Sequence, residues 1–180
     1  MRPLRALGTV IDAFRPADGP PPQTLGAFIR WSLSGAWPPL MLAAVIGALA
    51  GTMEVVSALL LGWTIDAALA SGPDRVLADH ALLLGGSVAF FLILRPLAFG
   101  IFSASNSVLV GPNILPLVLS RLHRWTMGQD VTFFDNDFAG RIAQKQMQTA
   151  RAATDVVSGA IETMAFSVAS VIGSMILLLA

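Results

Sequence analysis

The feature that most constrains this chain is an apolar run from Leu40 to Leu61, which contains a single charged residue, Glu54. A helix needs about 20 such residues to cross ~30 Å of hydrocarbon. A second run, Ala81 to Ile101, is interrupted by Arg95, and the last 17 residues, Met164 to Ala180, carry no charge. Only 12% of the 180 residues are charged, about half the share of a soluble domain. The pattern predicts an all-α, polytopic membrane bundle.

Charge and residue usage exclude several function classes. Eleven basic and eleven acidic residues cancel, so no net basic field favours a nucleic-acid partner. The chain has no cysteine, which excludes disulfides, thiolate metal sites and cysteine nucleophiles. The two histidines, His80 and His123, lie 43 residues apart. We therefore expect no catalytic, cofactor-binding or metal site within this chain.

Proline, glycine and charge clusters divide the chain into segments. Residues 1–21 end in a Pro- and Gly-rich stretch and predict a flexible cytoplasmic N-terminus. The following segment is amphipathic and is typical of a helix in the membrane interface, with an ordinary juxtamembrane turn as the alternative. The predicted elements are an interfacial helix at 22–33, a first span at 38–70, a second span at 79–127, a short segment at 128–138 and a third span from 138. Since the last apolar run breaks off at Ala180, we expect the chain to be part of a longer protein.

The second predicted helix is much longer than a bilayer is thick. Helix-compatible sequence runs from Asp79 to Met127, which is 49 residues or about 73 Å of helix. The helix should therefore project well beyond the ~30 Å hydrocarbon core, with kinks at Pro112 and Pro116. A matching leg with helical apolar spacing returns from Phe138 to about Thr163. The sequence thus predicts a long hairpin outside the membrane.

The distribution of positive charge predicts the orientation of the chain. Arginines precede the first span at positions 2, 5, 15 and 30, whereas the loop at 71–80 contains only Arg75. Five positive residues return between Arg121 and Arg151. The positive-inside rule places the N-terminus and the hairpin in the cytoplasm and the 71–80 loop outside.

The hairpin tip presents two adjacent aromatic residues. Phe133 and Phe134 lie in a short segment that lipid cannot cover. An exposed aromatic pair of this kind indicates a protein partner. The alternative is that both rings only pack the hairpin against itself.

In this order the segments resemble the membrane domain of an ATP-binding-cassette (ABC) exporter. The resemblance covers 22–180 and depends on the sequences LLLGWTID at 59–66 and FFDNDFAG at 133–140. After the tip, the family commonly has the pattern Gly-Glu-Leu-x-Ser-Arg-x-x-x-Asp. Gly140, Ile142 and Lys145 match it in position or character, whereas Arg141 replaces the usual acid and Thr149 the usual aspartate.

The resemblance implies a subunit with six spans and a cytoplasmic ATPase domain, working as a dimer in the plasma (inner) membrane. It implies an elbow helix at 22–33 and a coupling helix within 128–138, where Phe133, Phe134, Asp135 and Gly140 would contact the ATPase domain. We expect Gly140 to supply a positive φ at the turn into the third helix. ATP and Mg would bind the ATPase domain, since this chain has no phosphate loop. The other expected partners are membrane lipid and a hydrophobic substrate.

Two charges inside the apolar runs have similar predicted depths. Glu54 lies 20 residues before the turn at position 74, and Arg95 lies 21 residues after it. Charges at membrane depth usually face the bundle interior and find a partner. The two residues therefore form a structural pair, line the substrate path, or reach water. The alternative functions are an ion-coupled carrier with this pair at its centre, and a membrane sensor or assembly subunit whose hairpin binds another partner.

Overall fold

The structure, a computed structural model, describes residues 11–72, 75–135 and 139–179. Within these residues the chain is helical and contains no strand, so the prediction of an all-α chain is confirmed. In chain order the helices are α1 (Leu25–Ser32), α2 (Trp37–Ser71), α3 (Val76–Asp79), α4 (Ala81–Met127), α5 (Val131–Asp135) and α6 (139–179). Three of them, α2, α4 and α6, contain stretches long and apolar enough to cross a membrane.

The chain divides into two compact units. Unit 1 comprises Met1–Ala43 and Ala104–Ile161, and unit 2 comprises Ala44–Ser103 and Glu162–Ala180. The core of unit 1 consists of large aliphatic side chains, among them Leu33, Val110, Ile114, Leu117 and Val118, which are at most 2% exposed. Burial of such side chains contributes roughly 1.5–3 kcal/mol each relative to exposure to water, so these residues form a continuous apolar core in unit 1.

The predicted hairpin occupies most of unit 1. Its legs are Gly111–Met127 of α4 and Ala139–Gly159 of α6, and they pack against each other. The first leg buries positions 114, 117, 118, 121 and 122, which form one stripe at helical spacing. The second leg buries Ile142, Ala150, Ala153 and Val157 at the same periodicity. Alanine at two of these positions lets the legs approach closely.

Unit 2 is packed differently, through small residues. Its buried side chains are mostly small, among them Ala50, Ser57, Ala67 and Ser87, with Phe90 as a large exception, whereas large aliphatic residues of unit 2 such as Leu49, Leu61, Leu92 and Ile93 are exposed. A Cβ placed on Gly51 would lie 2.5 Å from the carbonyl oxygen of Phe166. Helices associate in lipid through close backbone approach at small residues. Lipid tails are as apolar as leucine, so the hydrophobic effect does not favour burying leucine between helices. Unit 2 therefore has the packing of membrane helices.

Pro112 and Pro116 do not interrupt α4. The helix widens to a π-helical turn at Asn106–Val110, immediately before the first of these prolines. The Nδ2 of Asn113 donates hydrogen bonds to the carbonyl oxygens of Val108 and Leu109, at 3.1 and 3.0 Å. A proline has no N–H for the carbonyl four residues earlier, so the buried asparagine amide supplies donors that the backbone lacks.

Candidate functional site

The tip of the hairpin is the five-residue helix α5, Val131–Asp135. It lies within the predicted coupling segment 128–138, of which 136–138 fall outside the described residues. Val131 is 73% exposed and Phe134 is 38% exposed, and Asp135 is exposed as well. The tip therefore presents an apolar patch of Val131 and Phe134 beside a carboxylate.

Phe133 and Phe134 have different environments, although the sequence analysis treated them as a pair. The Phe133 ring packs edge-to-face against Trp125, with the ring centroids 6.2 Å apart, and edge-to-face against Phe134 at 5.3 Å. Phe133 also lines a cavity of about 260 Å³ between the legs, together with Leu122 and Ile142. Phe133 thus packs within the hairpin, whereas part of the Phe134 side chain is exposed.

The legs are joined beside this cavity by polar contacts. Gln146 Nε2 donates a hydrogen bond to Thr126 Oγ1 at 2.6 Å, and Thr126 Oγ1 donates to the carbonyl oxygen of Leu122. Gln129 Nε2 donates to the carbonyl oxygen of Trp125. The hydrogen bond between Gln146 and Thr126 therefore joins the two legs, whereas the other two lie within the first leg and the turn that follows it.

The expected backbone role of Gly140 is wrong. Gly140 is helical, and the positive-φ residues in the described part of the chain are Gly19, Gly35 and Gly72. A Cβ placed on Gly140 would meet no atom within 4 Å. The helix α6 has already begun at Ala139, so no special turn geometry is required at residue 140.

The structure brings Glu54 and Arg95 together within unit 2. Arg95 Nη2 donates to Glu54 Oε1 at 2.8 Å, and the two side chains are 38% and 36% exposed respectively. The guanidinium carbon of Arg95 also lies 5.7 Å from the ring centroid of Phe99 and 6.0 Å from that of Phe91. The faces of aromatic rings attract cations, so two rings and one carboxylate hold the guanidinium in place.

The rings around Arg95 extend toward the third apolar helix. Phe99 packs edge-to-face against Phe166 of α6, with the centroids 6.1 Å apart. Further along α6, a Cβ on Gly173 would lie 2.6 Å from Cγ2 of Val55, the residue that follows Glu54. The charge pair is thus set among the close helix contacts of unit 2.

Arg121 is a functional candidate that the sequence analysis missed. It lies on the buried stripe of the first leg and is only 2% exposed. Its Nη1 donates to the carbonyl oxygen of Trp31 at 2.8 Å and its Nη2 to that of Ser34 at 2.7 Å. Its Nε donates to the carbonyl oxygen of Arg15 at 3.1 Å. The guanidinium therefore joins three chain segments, and we name these three hydrogen bonds the carbonyl clamp.

The carbonyl clamp has a simple electrostatic basis. Two of its acceptors lie at the C-terminal end of α1, where helix carbonyls have no intrahelical partner and the helix dipole favours a positive charge. The detectable signal in the sequence was an arginine at the 114, 117, 118, 121, 122 spacing of an apolar stripe. A charge on such a stripe is buried and requires partners.

The N-terminal segment makes several contacts around the carbonyl clamp. Ile11 is buried in the core of unit 1, and Ser120 Oγ donates to the carbonyl oxygen of Ala13 at 2.8 Å. Trp31 Nε1 donates to the carbonyl oxygen of Asp18 at 3.1 Å. Residues 11–18 belong to the stretch for which the sequence predicted a flexible terminus, and residues 1–10 lie outside the described part of the chain.

Comparison with known proteins gives one informative similarity. The chain is 30% identical over 138 residues to a Haemophilus influenzae protein described as an uncharacterised ABC transporter ATP-binding protein. The match covers 76% of this chain and 22% of that protein, so the chain spans about a fifth of its relative's length. No family model and no solved structure matches the chain. The similarity and the three apolar helices together support an ABC-related membrane protein.

Proposed function

We propose that this chain is the membrane-spanning part of an ATP-driven exporter, and that α5 couples it to a cytoplasmic ATPase domain. The observation that carries the proposal is the hairpin: two packed helical legs of unit 1 end in a short helix on which two apolar side chains, Val131 and Phe134, are exposed. The relative described as an ATP-binding ABC transporter supports this assignment. ATP and Mg would bind the ATPase domain, and a hydrophobic substrate would follow the spans.

The proposal includes an arrangement in the membrane. The N-terminus, α1 and the hairpin tip lie in the cytoplasm, and α2, α4 and α6 cross the plasma (inner) membrane. The excess of arginine and lysine before the first span and between Arg121 and Arg151 supports this orientation. Two such subunits form a dimer, as in the family that the sequence resembles.

A comparison of Phe134→Ala with Phe133→Ala tests the coupling role. Phe134 is partly exposed at the tip, so its truncation should leave folding nearly unchanged but uncouple transport from ATP hydrolysis. Phe133 packs on Trp125, so its truncation should lower the thermal unfolding midpoint instead. Both variants are assayed in the full-length protein for ATPase activity, transport and thermal unfolding.

We expect Phe134→Ala to be as stable as the wild type but to have lost the coupling of transport to ATP hydrolysis. Asp135→Asn provides a matched control at the rim of the same tip, where loss of a charge should change coupling little. If the double variant Phe133→Ala, Phe134→Ala retained transport and substrate-stimulated ATPase activity, the coupling role of α5 would be wrong.

The Glu54–Arg95 pair supports a second candidate function, an ion-coupled carrier. A carboxylate within an apolar helix that exchanges a proton or Na⁺ against an arginine can link ion entry to substrate movement. This candidate predicts transport that depends on an ion gradient and stops when Glu54→Gln removes the carboxylate. The exporter predicts transport that stops when ATP is withdrawn and persists in a membrane without an ion gradient.

A further inference from the structure

Unit 1 contains a second cavity, of about 200 Å³, beside the carbonyl clamp. It is lined by the side chains of Arg121, Arg124, Trp31 and Trp125 together with three residues of the N-terminal segment, and no carboxylate is among the lining residues. We call it the basic cavity. Its walls come from α1, from the first hairpin leg and from the segment before α1.

The positive charges around the basic cavity lack a neutralising carboxylate. Within the residues that the structure describes, Arg15, Arg121 and Arg124 form no ion pair with an acidic side chain. The positive charge of Arg15 also repels that of the desolvated Arg121. Burying a cation without a counter-charge is costly, and a bound anion would offset that cost.

The donors available in the basic cavity suit an anion with several oxygens. Arg121 uses three of its five N–H groups in the carbonyl clamp, which leaves two for a ligand. Arg124 is exposed and adds a second guanidinium. Planar guanidinium groups bind phosphate oxygens through paired, charge-assisted hydrogen bonds. Since one water occupies about 30 Å³, the cavity has room for a phosphate group and a few waters.

The helix α1 indicates where such a phosphate would come from. Trp31 has an amphipathic ring of the kind enriched at the headgroup level of a bilayer, whereas Trp125 packs on Phe133 of the hairpin tip. Trp31 belongs to α1, and Leu25 at the start of that helix is 76% exposed. An interfacial helix with an exposed leucine and a basic cavity at its other end fits an anionic phospholipid.

We propose that the basic cavity binds a phosphate group, presented by an anionic phospholipid headgroup or by free phosphate. Two guanidinium groups bind the phosphate oxygens, and the bound anion stabilises α1 on the first hairpin leg. The site does not depend on the ATPase assignment, since it is formed by residues of unit 1 alone.

The experiment compares Arg124→Gln with Arg30→Gln in the full-length protein. Arg124 lines the basic cavity and takes no part in the carbonyl clamp, so its removal should not unfold the protein. Arg30 is exposed on α1 and does not line the cavity, which makes it the matched control for loss of one positive charge. Binding of dioctanoyl phosphatidylglycerol, dioctanoyl phosphatidylcholine and inorganic phosphate is measured by native mass spectrometry and by the shift in thermal unfolding midpoint.

We expect Arg124→Gln to weaken binding of phosphatidylglycerol by about tenfold or more, because one charge-assisted contact is lost. Arg30→Gln should bind as the wild type does. Tighter binding of phosphatidylglycerol than of inorganic phosphate identifies a lipid as the source, and the reverse order identifies free phosphate. Equal binding by the wild type and Arg124→Gln would overturn the proposal, as would a wild type that prefers phosphatidylcholine or binds none of the three.

Discussion

Each of the two units of this chain is packed internally by a different kind of side chain. Unit 1 buries leucine, isoleucine and valine in a continuous core, and a buried arginine fastens its segments together. Unit 2 buries mainly alanine, serine and glycine together with Phe90, and many of its other large apolar side chains are exposed. The two patterns differ in the way that helix packing in water differs from helix packing in lipid, since water drives large apolar residues inward and lipid does not.

The contrast shows that composition alone does not separate the two regions. The first leg and the α2 helix both have many leucines, but only the leg buries a continuous stripe of large aliphatic side chains, at positions 114, 117, 118 and 122. The arginine in each unit also has a different kind of partner. Arg121 is satisfied by backbone carbonyls at a helix end, whereas Arg95 is satisfied by a carboxylate and two aromatic rings. Substitutions in each unit test this difference.

Arg121→Ala should have the largest effect on stability. It removes three charge-assisted hydrogen bonds to backbone carbonyl groups, and the carbonyl of Trp31 keeps only the N–H of Ser34, at a cost of about 3 kcal/mol or more. Arg121→Lys keeps the charge but loses the fork geometry and should cost less. The measurement is chemical unfolding, combined with limited proteolysis of the segment before α1.

Arg30→Ala is the control for Arg121→Ala, because it also removes one arginine from a helix of unit 1, but at an exposed position. Arg30 is exposed, so its removal should change the free energy of unfolding by no more than about 0.5 kcal/mol. If Arg121→Ala unfolded at the same denaturant concentration as Arg30→Ala, the carbonyl clamp would not stabilise unit 1.

Gly51→Ala should have the next largest effect, this time in unit 2. The added Cβ would lie 2.5 Å from the carbonyl oxygen of Phe166, so the two helices must move apart, at a cost of about 1–3 kcal/mol. Gly62→Ala is the matched control on the same helix, because no atom lies within 4 Å of its Cβ position. Equal thermal unfolding midpoints for the two variants would mean that close helix packing does not hold unit 2 together.

A double-mutant cycle on Glu54 and Arg95 should give a smaller effect. Each single change to glutamine leaves the other charge without its partner, whereas the double change removes both charges. Because both side chains are more than a third exposed, we expect a coupling free energy of only about 1 kcal/mol. Additive losses of folded protein would show that the two residues act separately.

Gly140→Ala should have the smallest effect and the opposite sign. Gly140 is helical and has open space around its Cβ position, so alanine should stabilise α6 by up to about 1 kcal/mol. Thermal unfolding of the full-length protein measures this change. A loss of stability would restore the turn role that the sequence had predicted for this glycine.

The sequence predicted what depends on local pattern. Runs of apolar residues and the spacing of positions such as Ile142, Val157 and Ile161 predict helices and the buried face of the second leg. Nearly equal distances from the turn also predicted that Glu54 and Arg95 have similar depths, and the structure places Arg95 Nη2 2.8 Å from Glu54 Oε1. These features follow from one-dimensional periodicity.

The remaining features depend on contacts between distant segments. Arg121 is 90 residues from Trp31 and 106 from Arg15, so no local pattern identifies them as partners. The different environments of Phe133 and Phe134 depend on the position of Trp125 on the preceding leg. The helical backbone conformation of Gly140 follows from the start of α6 at Ala139. The family pattern did not specify where that helix begins.

Cysteine labelling of the tip and of the 71–80 loop tests the central claim most directly. These 180 residues contain no cysteine, so they contribute no background to Gln129→Cys or Ser71→Cys in the full-length protein. In intact cells a membrane-impermeant maleimide should label Ser71→Cys, and it should label Gln129→Cys only after the membrane is opened. Labelling of Gln129→Cys from outside intact cells would contradict a cytoplasmic hairpin, and with it the coupling role of α5.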